Sequence, residues 1–313
     1  EHPQNAVHGD YATSLPLKLA RITGIDPLKI ARTIVELMPS TPEVERIEVA
    51  PPGFINFTLK NDWLARQMES ILDAGERYGD IDLGKRSRVQ VEFVSVNPTG
   101  PLHIGHGRGA VLGSTLATVL TAAGYLVERE YYINDAGNQM DAFYHSLYAR
   151  YQQALGIPVD VPSDGYHGGY MMELAKEIIA AEGDSFLALP PEEAAGKLGK
   201  IGLRKMMESI KADLELIRVS FDVWFSEQSL YDGGQYHKVM ERLRQAGHVE
   251  EKEGAVWFVS SGLGEDKDNV LVRSDGSPTY FASDIAYHYN KFLERKFDTV
   301  IDIWGADHQG HVP

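Results

Sequence analysis

The stretch Val89-Gln90-Val91-Glu92-Phe93-Val94 alternates and is rich in branched side chains, the pattern of a strand. Residues 108–123 are rich in Ala, Leu and Val, contain no Pro and are closed by Gly124, which predicts a helix. Between them lies Pro98-Thr99-Gly100-Pro101-Leu102-His103-Ile104-Gly105-His106-Gly107, a Gly/Pro-rich connection at a strand's carboxyl end. Upstream, residues 11–21 and 27–38 read as two amphipathic helices. Asp26 offers the second an N-cap, Pro27 suits its first position, and Pro39 follows its end. Residues 44–49 and 54–59 alternate as strands around the Pro51-Pro52-Gly53 turn. Downstream, 127–133 predicts a strand, and 138–155, 169–182 and 192–218 predict helices. Residues 219–225 predict another strand, and 248–252 with 255–260 a strand pair joined across Glu253-Gly254. Finally, 270–273 predicts a strand, 274–277 a turn, 279–296 mainly a helix and 297–304 an apolar strand.

This order predicts an α/β fold: a doubly wound parallel, Rossmann-like nucleotide-binding sheet with an inserted domain, preceded by a small α+β domain. The expected boundaries are 1–72 for the small domain, 73–88 for a linker and 89–313 for the sheet domain, with the insertion at about 140–265. The linker is expected because three Gly and eight charged residues interrupt the periodicity there. The second half of the sheet is expected to begin at Asn269.

Composition narrows the class. With 313 residues the chain can build two or three domains. It contains no cysteine, which excludes disulfides and thiolate metal sites within it. No apolar run is long enough to span a bilayer, so a cytoplasmic protein without membrane contact is expected. The net charge of −15 argues against non-specific polyanion binding, although local basic patches can coexist with an acidic total. The chain starts at Glu1-His2-Pro3 without an initiating methionine and stops at Pro313 just past a strand, so a truncated chain is expected.

The chemistry concentrates at the connection. A helix N-terminus at a sheet's carboxyl edge favours phosphate through free N–H groups and the helix dipole. Gly105 leaves room for a base or sugar, and His103 and His106 can donate to phosphate oxygens. Two histidines three apart also suit surface positions or two ligands of a metal, and four residues alone do not choose between these. His-Ile-Gly-His in this setting resembles the signature of class I aminoacyl-tRNA synthetases. The longer string from Glu92 to Arg108, Glu-Phe-Val-Ser-Val-Asn-Pro-Thr-Gly-Pro-Leu-His-Ile-Gly-His-Gly-Arg, resembles the arginyl-tRNA synthetases in particular.

That resemblance covers essentially the whole chain and carries expectations. His8-Gly9-Asp10-Tyr11 with Pro52-Gly53-Phe54-Ile55-Asn56 is similar to the family's N-terminal domain, which contacts the outer corner of the tRNA. The insertion suits the connective peptide of class I synthetases. Asn134-Asp135-Ala136-Gly137-Asn138-Gln139 resembles a family stretch at its entrance, and its Asn-Asp suits a helix cap as well as a substrate role. A guanidinium group needs acceptors, and the candidates near the nucleotide loop are Glu92 and Asp284. Tyr280 and Asp284 stand four apart on one helix face and match the family's Tyr-x-x-x-Asp pair that holds arginine; by itself Asp284 would read as a cap or a surface acid. Glu92 and Asn97 match a Glu and Asn before the motif, with Asn97 holding the α-amino or carboxylate end.

The implied reaction is ATP-dependent activation of L-arginine and its transfer to tRNA(Arg). His103 and His106 are the catalytic candidates, Gly105 and Gly305 would border adenosine, and Asp307 would meet the ribose. Magnesium would bridge the ATP phosphates, with no permanently bound metal, and a monomer is expected. Two positions depart from the family. Gly100 stands where some members carry a phosphate-binding lysine, and no Lys-Met-Ser-Lys string occurs within the chain to replace it. His308 stands where some members use a glutamine for arginine. The helical anticodon domain is also absent from the chain, so these residues alone are expected to be inactive in charging tRNA. The rival readings are another class I synthetase, a nucleotidylyltransferase sharing the motif, and a non-catalytic RNA-binding relative.

Overall fold

The computed structural model describes residues 1–305. Glu1–Asp80 form one compact unit and the chain from Ile81 onward a second. In the first, β1 (Tyr11–Thr13), β2 (Val44–Ala50) and β3 (Phe54–Leu59) make an antiparallel sheet in the order β1-β3-β2, accompanied by α1 (Leu15–Thr23), α2 (Pro27–Leu37) and α3 (Asn61–Ala74). The Asp26 carboxylate accepts from Lys29 N at 3.0 Å, the expected cap of α2. Tyr11–Thr13 were expected to open a helix and instead form an edge strand. Asp10 explains the change: its amide donates to Phe57 O and its carboxylate accepts from Leu59 N at 2.7 Å, so the chain arrives already laid along β3. Pro16 then fits the first turn of α1, where no amide is needed. Helix α3 was not expected, and it runs into the first residues of the expected linker.

The second unit contains β4 (Arg88–Glu92), α4 (Ile104–Ala122), β5 (Leu126–Ile133), α5 (Asn138–Ala154), α6 (Gly169–Glu182), α7 (Pro191–Leu216) and β6 (Val223–Ser226). There follow α8 (Gln228–Asp232), α9 (Gln235–Gln245), β7 (Val249–Lys252), β8 (Ala255–Phe258), β9 (Asn269–Val272), α10 (Tyr280–Tyr289) and β10 (Thr299–Asp302). The strands β10-β4-β5-β6 form a four-stranded parallel sheet, so the expected α/β class and parallel sheet are present. Two expectations about its composition fail. Strand β9 belongs to a separate antiparallel sheet with β7 and β8, so the parallel sheet does not resume at Asn269. Strand β6, expected inside the insertion, pairs in parallel with β5. Two crossovers therefore interrupt the sheet, one on each side of β6. Helices α8 and α9, also unexpected, lie in the second of them.

The faces of β4 differ sharply. Val89, Val91 and Phe93 join Ala110 and Ala117 of α4, Tyr131 of β5 and Ile210 and Leu214 of α7 in one buried cluster. The opposite face carries Gln90 and Glu92, level with Glu128 and Glu130 of β5, and Asp302 of β10 beside Glu92. Parallel sheets usually bury apolar residues on both faces, so this row needs internal counter-charges. In the first crossover Phe143, Leu147 and Tyr151 of α5 pack against Met171, Leu174 and Ile178 of α6 and Leu198 of α7.

Gly113 sets how closely α4 approaches β4. A Cβ there would lie 2.1 Å from Phe93 Cγ. Gly113→Ala gains up to about 1 kcal/mol of helix propensity but forces Phe93 out of place, an overpacking cost of about 1–3 kcal/mol. The expected net result is a loss of about 1 kcal/mol or more, read as a lower urea midpoint; an unchanged or higher midpoint would mean the contact yields freely.

Candidate active site

Helix α4 begins at Ile104, four residues before the predicted start, so the motif forms its first turn rather than the loop before it. His103 is the N-cap: its Nδ1 accepts from Gly105 N at 3.1 Å, while His106 Nδ1 accepts from His103 N at 3.2 Å. The two rings stack with centroids 3.5 Å apart. Burial, and then the neighbouring His103, hold the His106 pKa below its ordinary value, so its ring is neutral at pH 7. A neutral ring that accepts at Nδ1 carries its proton on Nε2, so His106 keeps one N–H to give. Gly105 is required by the same arrangement, since a Cβ there would lie 2.9 Å from His103 Cε1. Ile104 is 94 % exposed, and the helix end is open to solvent.

The segment joining β4 to this cap is held from several sides. Val94 and Ser95 adopt left-handed backbone angles with φ of 68° and 41°, a costly conformation for a branched residue. Ser95 Oγ accepts from Tyr132 N at 3.0 Å, Tyr131 OH donates to Val96 O at 3.0 Å, and Tyr170 OH donates to Thr99 O at 2.6 Å. Asn97 Nδ2 donates to Gln139 Oε1 at 2.6 Å, tying the loop to the first turn of α5.

A second cluster forms where the carboxyl ends of β5 and β6 meet α10. Tyr280 and Asp284 occupy this helix one turn apart, Tyr280 being 64 % exposed. Near Asp284 stands Glu227, the residue after β6, only 7 % exposed. Burial first, then the charges of Asp284 and Asp135, push the Glu227 carboxyl up to about 7, against hydrogen bonds from Ser283 and Tyr132 that favour its ionised form. Tyr132 feels Glu227, Asp284 and Glu92 together; burial and these three carboxylates drive its hydroxyl far above its ordinary value and keep it a donor. Tyr231 and Ser283 share a hydrogen bond of 2.7 Å. Asp135 was open between a cap and a substrate role. Its oxygens accept from Ser226 Oγ at 2.6 Å and Gln228 N at 2.9 Å, so it braces the β6–α8 turn that carries Glu227.

Glu92 was expected to meet arginine, and the structure pairs it internally. It is 8 % exposed, and its Oε2 accepts from Lys291 Nζ at 2.7 Å and Tyr287 OH at 2.8 Å. Nothing in the sequence singles out Glu227, because its place at a carboxyl end of the parallel sheet follows only from the pairing of β6 with β5. Gly305 is exposed in the segment after β10, and Asp307 and His308 lie outside the described residues.

Residues 67–312 match the model of the catalytic domain of class I tRNA synthetases of the arginine type, and residues 1–59 match the arginyl-tRNA synthetase N-terminal domain. The chain belongs to the class I arginyl-tRNA synthetase family. It is 58 % identical over 312 residues to the arginine–tRNA ligase of Dehalococcoides mccartyi, covering 100 % of this chain and 56 % of the relative. Its identity to the arginine–tRNA ligase of Bacillus subtilis is 46 % over 314 residues, with the same coverage of each chain. A solved Campylobacter jejuni structure assigned as an arginyl-tRNA synthetase aligns with a TM-score of 0.72 and 38 % identity, covering 82 % of this chain and 56 % of that one. The chain thus spans about half the length of the family members it matches. Among the described residues no helix is long and apolar enough to cross a membrane.

Proposed function

We propose that this chain forms the arginine- and ATP-binding part of a cytoplasmic arginine–tRNA ligase. The reading is carried by the carboxyl pair Glu227 and Asp284, set among phenols at the sheet's carboxyl edge. A guanidinium group presents five N–H donors in a plane and accepts nothing, so two carboxylates and phenolic oxygens are its complement. Asp284 and Glu227 take the charge, with Tyr280 on the same helix face as Asp284. Asn97 takes the α-amino or carboxylate end, and His308 is assigned to the same amino acid. Glu92, whose Oε2 is paired with Lys291, adds its charge to this pocket beside Tyr132.

ATP lies with its phosphates at the N-terminus of α4, where His103, Gly105 and His106 stand, its adenosine bordered by Gly305 and its ribose near Asp307. These histidines offer N–H donors and so fit phosphate oxygens, not a hard, oxygen-seeking ion. Magnesium accompanies ATP as its counter-ion. An arginine carboxylate oxygen attacks the α-phosphorus, the bond to the bridging oxygen breaks, and pyrophosphate leaves. A terminal ribose hydroxyl of tRNA(Arg) then attacks the arginyl carbonyl carbon and AMP departs. The N-terminal residues, about 1–72, contact the tRNA. Resemblance of both family models to this chain supports the assignment.

Calorimetry with arginine and with citrulline, its neutral isostere, tests the pocket. Arginine is expected to bind at least about tenfold more tightly, because only a cation repays an ionised carboxyl pair. Equal affinities would overturn the assignment of Glu227 and Asp284.

A further inference from the structure

Between α10 and β10 the helix widens into one π turn, Asn290–Glu294, and Lys291 within it is 0 % exposed. Its Nζ bonds Glu92 Oε2 on β4 at 2.7 Å and Asp302 Oδ1 on β10 at 2.8 Å, and sits 4.1 Å from the Tyr287 ring centroid. Glu92 and Asp302 are register partners on adjacent parallel strands, so without a cation between them two buried carboxylates would face each other. The strand ends they occupy are the points of departure for the Asn97–His103 segment and for the segment holding Gly305. The Tyr287 hydroxyl lies within hydrogen-bond reach of both Glu92 and Glu130 with one proton between them, and Arg295 pairs with Glu128 and Glu130, so the other carboxylates of the row are matched from residues flanking the same turn.

We infer that Lys291 is a positioning residue for the adenylation reaction: it fixes the spacing of the two strand ends that carry the two sides of the nucleotide crevice. The inference rests on the reading of that crevice as the arginine–ATP site. A π turn suits the task, because it rotates Lys291 beneath Tyr287 and into the sheet while α10 still presents Asp284 two turns earlier. Burial opposes the ammonium charge and the two carboxylates outweigh it, so Lys291 stays protonated and the link persists across the working pH range. A change of about an ångström in crevice width is enough to cost on the order of 10²-fold in rate.

Arginine-dependent exchange of pyrophosphate into ATP, with tRNA(Arg) present, tests this in the enzyme carrying this chain, with active sites counted by burst and stability followed by melting. Lys291→Met is expected to lower kcat/KM for ATP by about 10²-fold per active site. It is paired with the triple variant Lys291→Met, Glu92→Gln, Asp302→Asn, in which none of these three groups remains charged. The triple variant is expected to recover the melting temperature and not the rate, because charge balance returns without the link. Recovery of both, or a Lys291→Met enzyme as fast per site as its parent, would overturn the inference and leave Lys291 a charge-balancing residue only. If Lys291→Met does not fold, the triple variant decides. A parent without arginine-dependent exchange even with tRNA(Arg) present would instead remove the functional reading beneath it.

Discussion

Glu227→Gln is expected to weaken arginine binding by about 2–4 kcal/mol at pH 8, because a desolvated guanidinium loses one of its two charge partners. The same substitution is expected to change how binding depends on pH. In the arginine-free protein the Glu227 carboxyl titrates at about 7, raised by burial and by Asp284 and Asp135. Bound arginine favours the ionised form, so below pH 7 binding must expel a proton. Affinity for arginine therefore falls by about tenfold for each unit of pH below 7 and levels off above it, a one-proton linkage. In Glu227→Gln that slope disappears. Stability moves oppositely. A carboxyl raised above its unfolded value makes the native state the stronger proton binder, so between about 4.5 and 7 stability falls as pH rises. The arginine-free Gln variant is then expected to melt higher than its parent at pH 8. Asp284→Asn is expected to weaken arginine by a similar amount while moving the Glu227 midpoint down, since one of the charges that raise it is gone. Calorimetry from pH 5.5 to 8.5 on the three proteins reads all of this. A parent profile flat through pH 7 would remove Glu227 as the titrating partner.

What the sequence disclosed of this arrangement follows from the range of the interactions involved. Long periodic segments such as α6 at residues 169–182, and local devices such as the Asp26 cap before Pro27, depend on neighbours a few residues away and were legible. The strand β1 was not, because its partner is Phe57 and the preceding Asp10 takes Leu59 N, a bond spanning 49 positions. Strand β9 has an ordinary strand pattern, and nothing in that pattern says which of two sheets it joins. The motif histidines were legible as chemistry through resemblance, yet their mutual capping appears only when the helix is seen to start at Ile104. Glu92 shows the limit most plainly. A carboxylate beside a nucleotide loop reads as a substrate ligand, and nothing nearby in the sequence shows that it also pairs with a lysine 199 residues further on.

That capping arrangement also fixes what loss of a motif histidine would do. His106→Ala is expected to slow adenylate formation by about 10²–10³-fold in the enzyme carrying this chain, the usual loss for one donor aimed at developing charge. His106 has two separable tasks. Its Nδ1 accepts from His103 N and completes the reciprocal cap, and its Nε2–H remains for a phosphate oxygen. Loss of a cap alone costs about 1 kcal/mol of stability, a few degrees of melting temperature, and does not by itself slow the chemistry. His106→Asn separates the two, since an asparagine side-chain oxygen can accept from the backbone as the imidazole does. It is expected to regain stability with little rate. Because burial and His103 keep the ring neutral, the parent rate is expected to stay level from pH 7 to 8.5 as far as this residue is concerned, its donor being present throughout. Single-turnover activation at saturating arginine and ATP, with tRNA(Arg) present, gives the rate, and thermal melting gives the cap. A His106→Ala enzyme that melts lower but forms adenylate as fast as its parent would confine His106 to the helix cap and move the phosphate donor elsewhere.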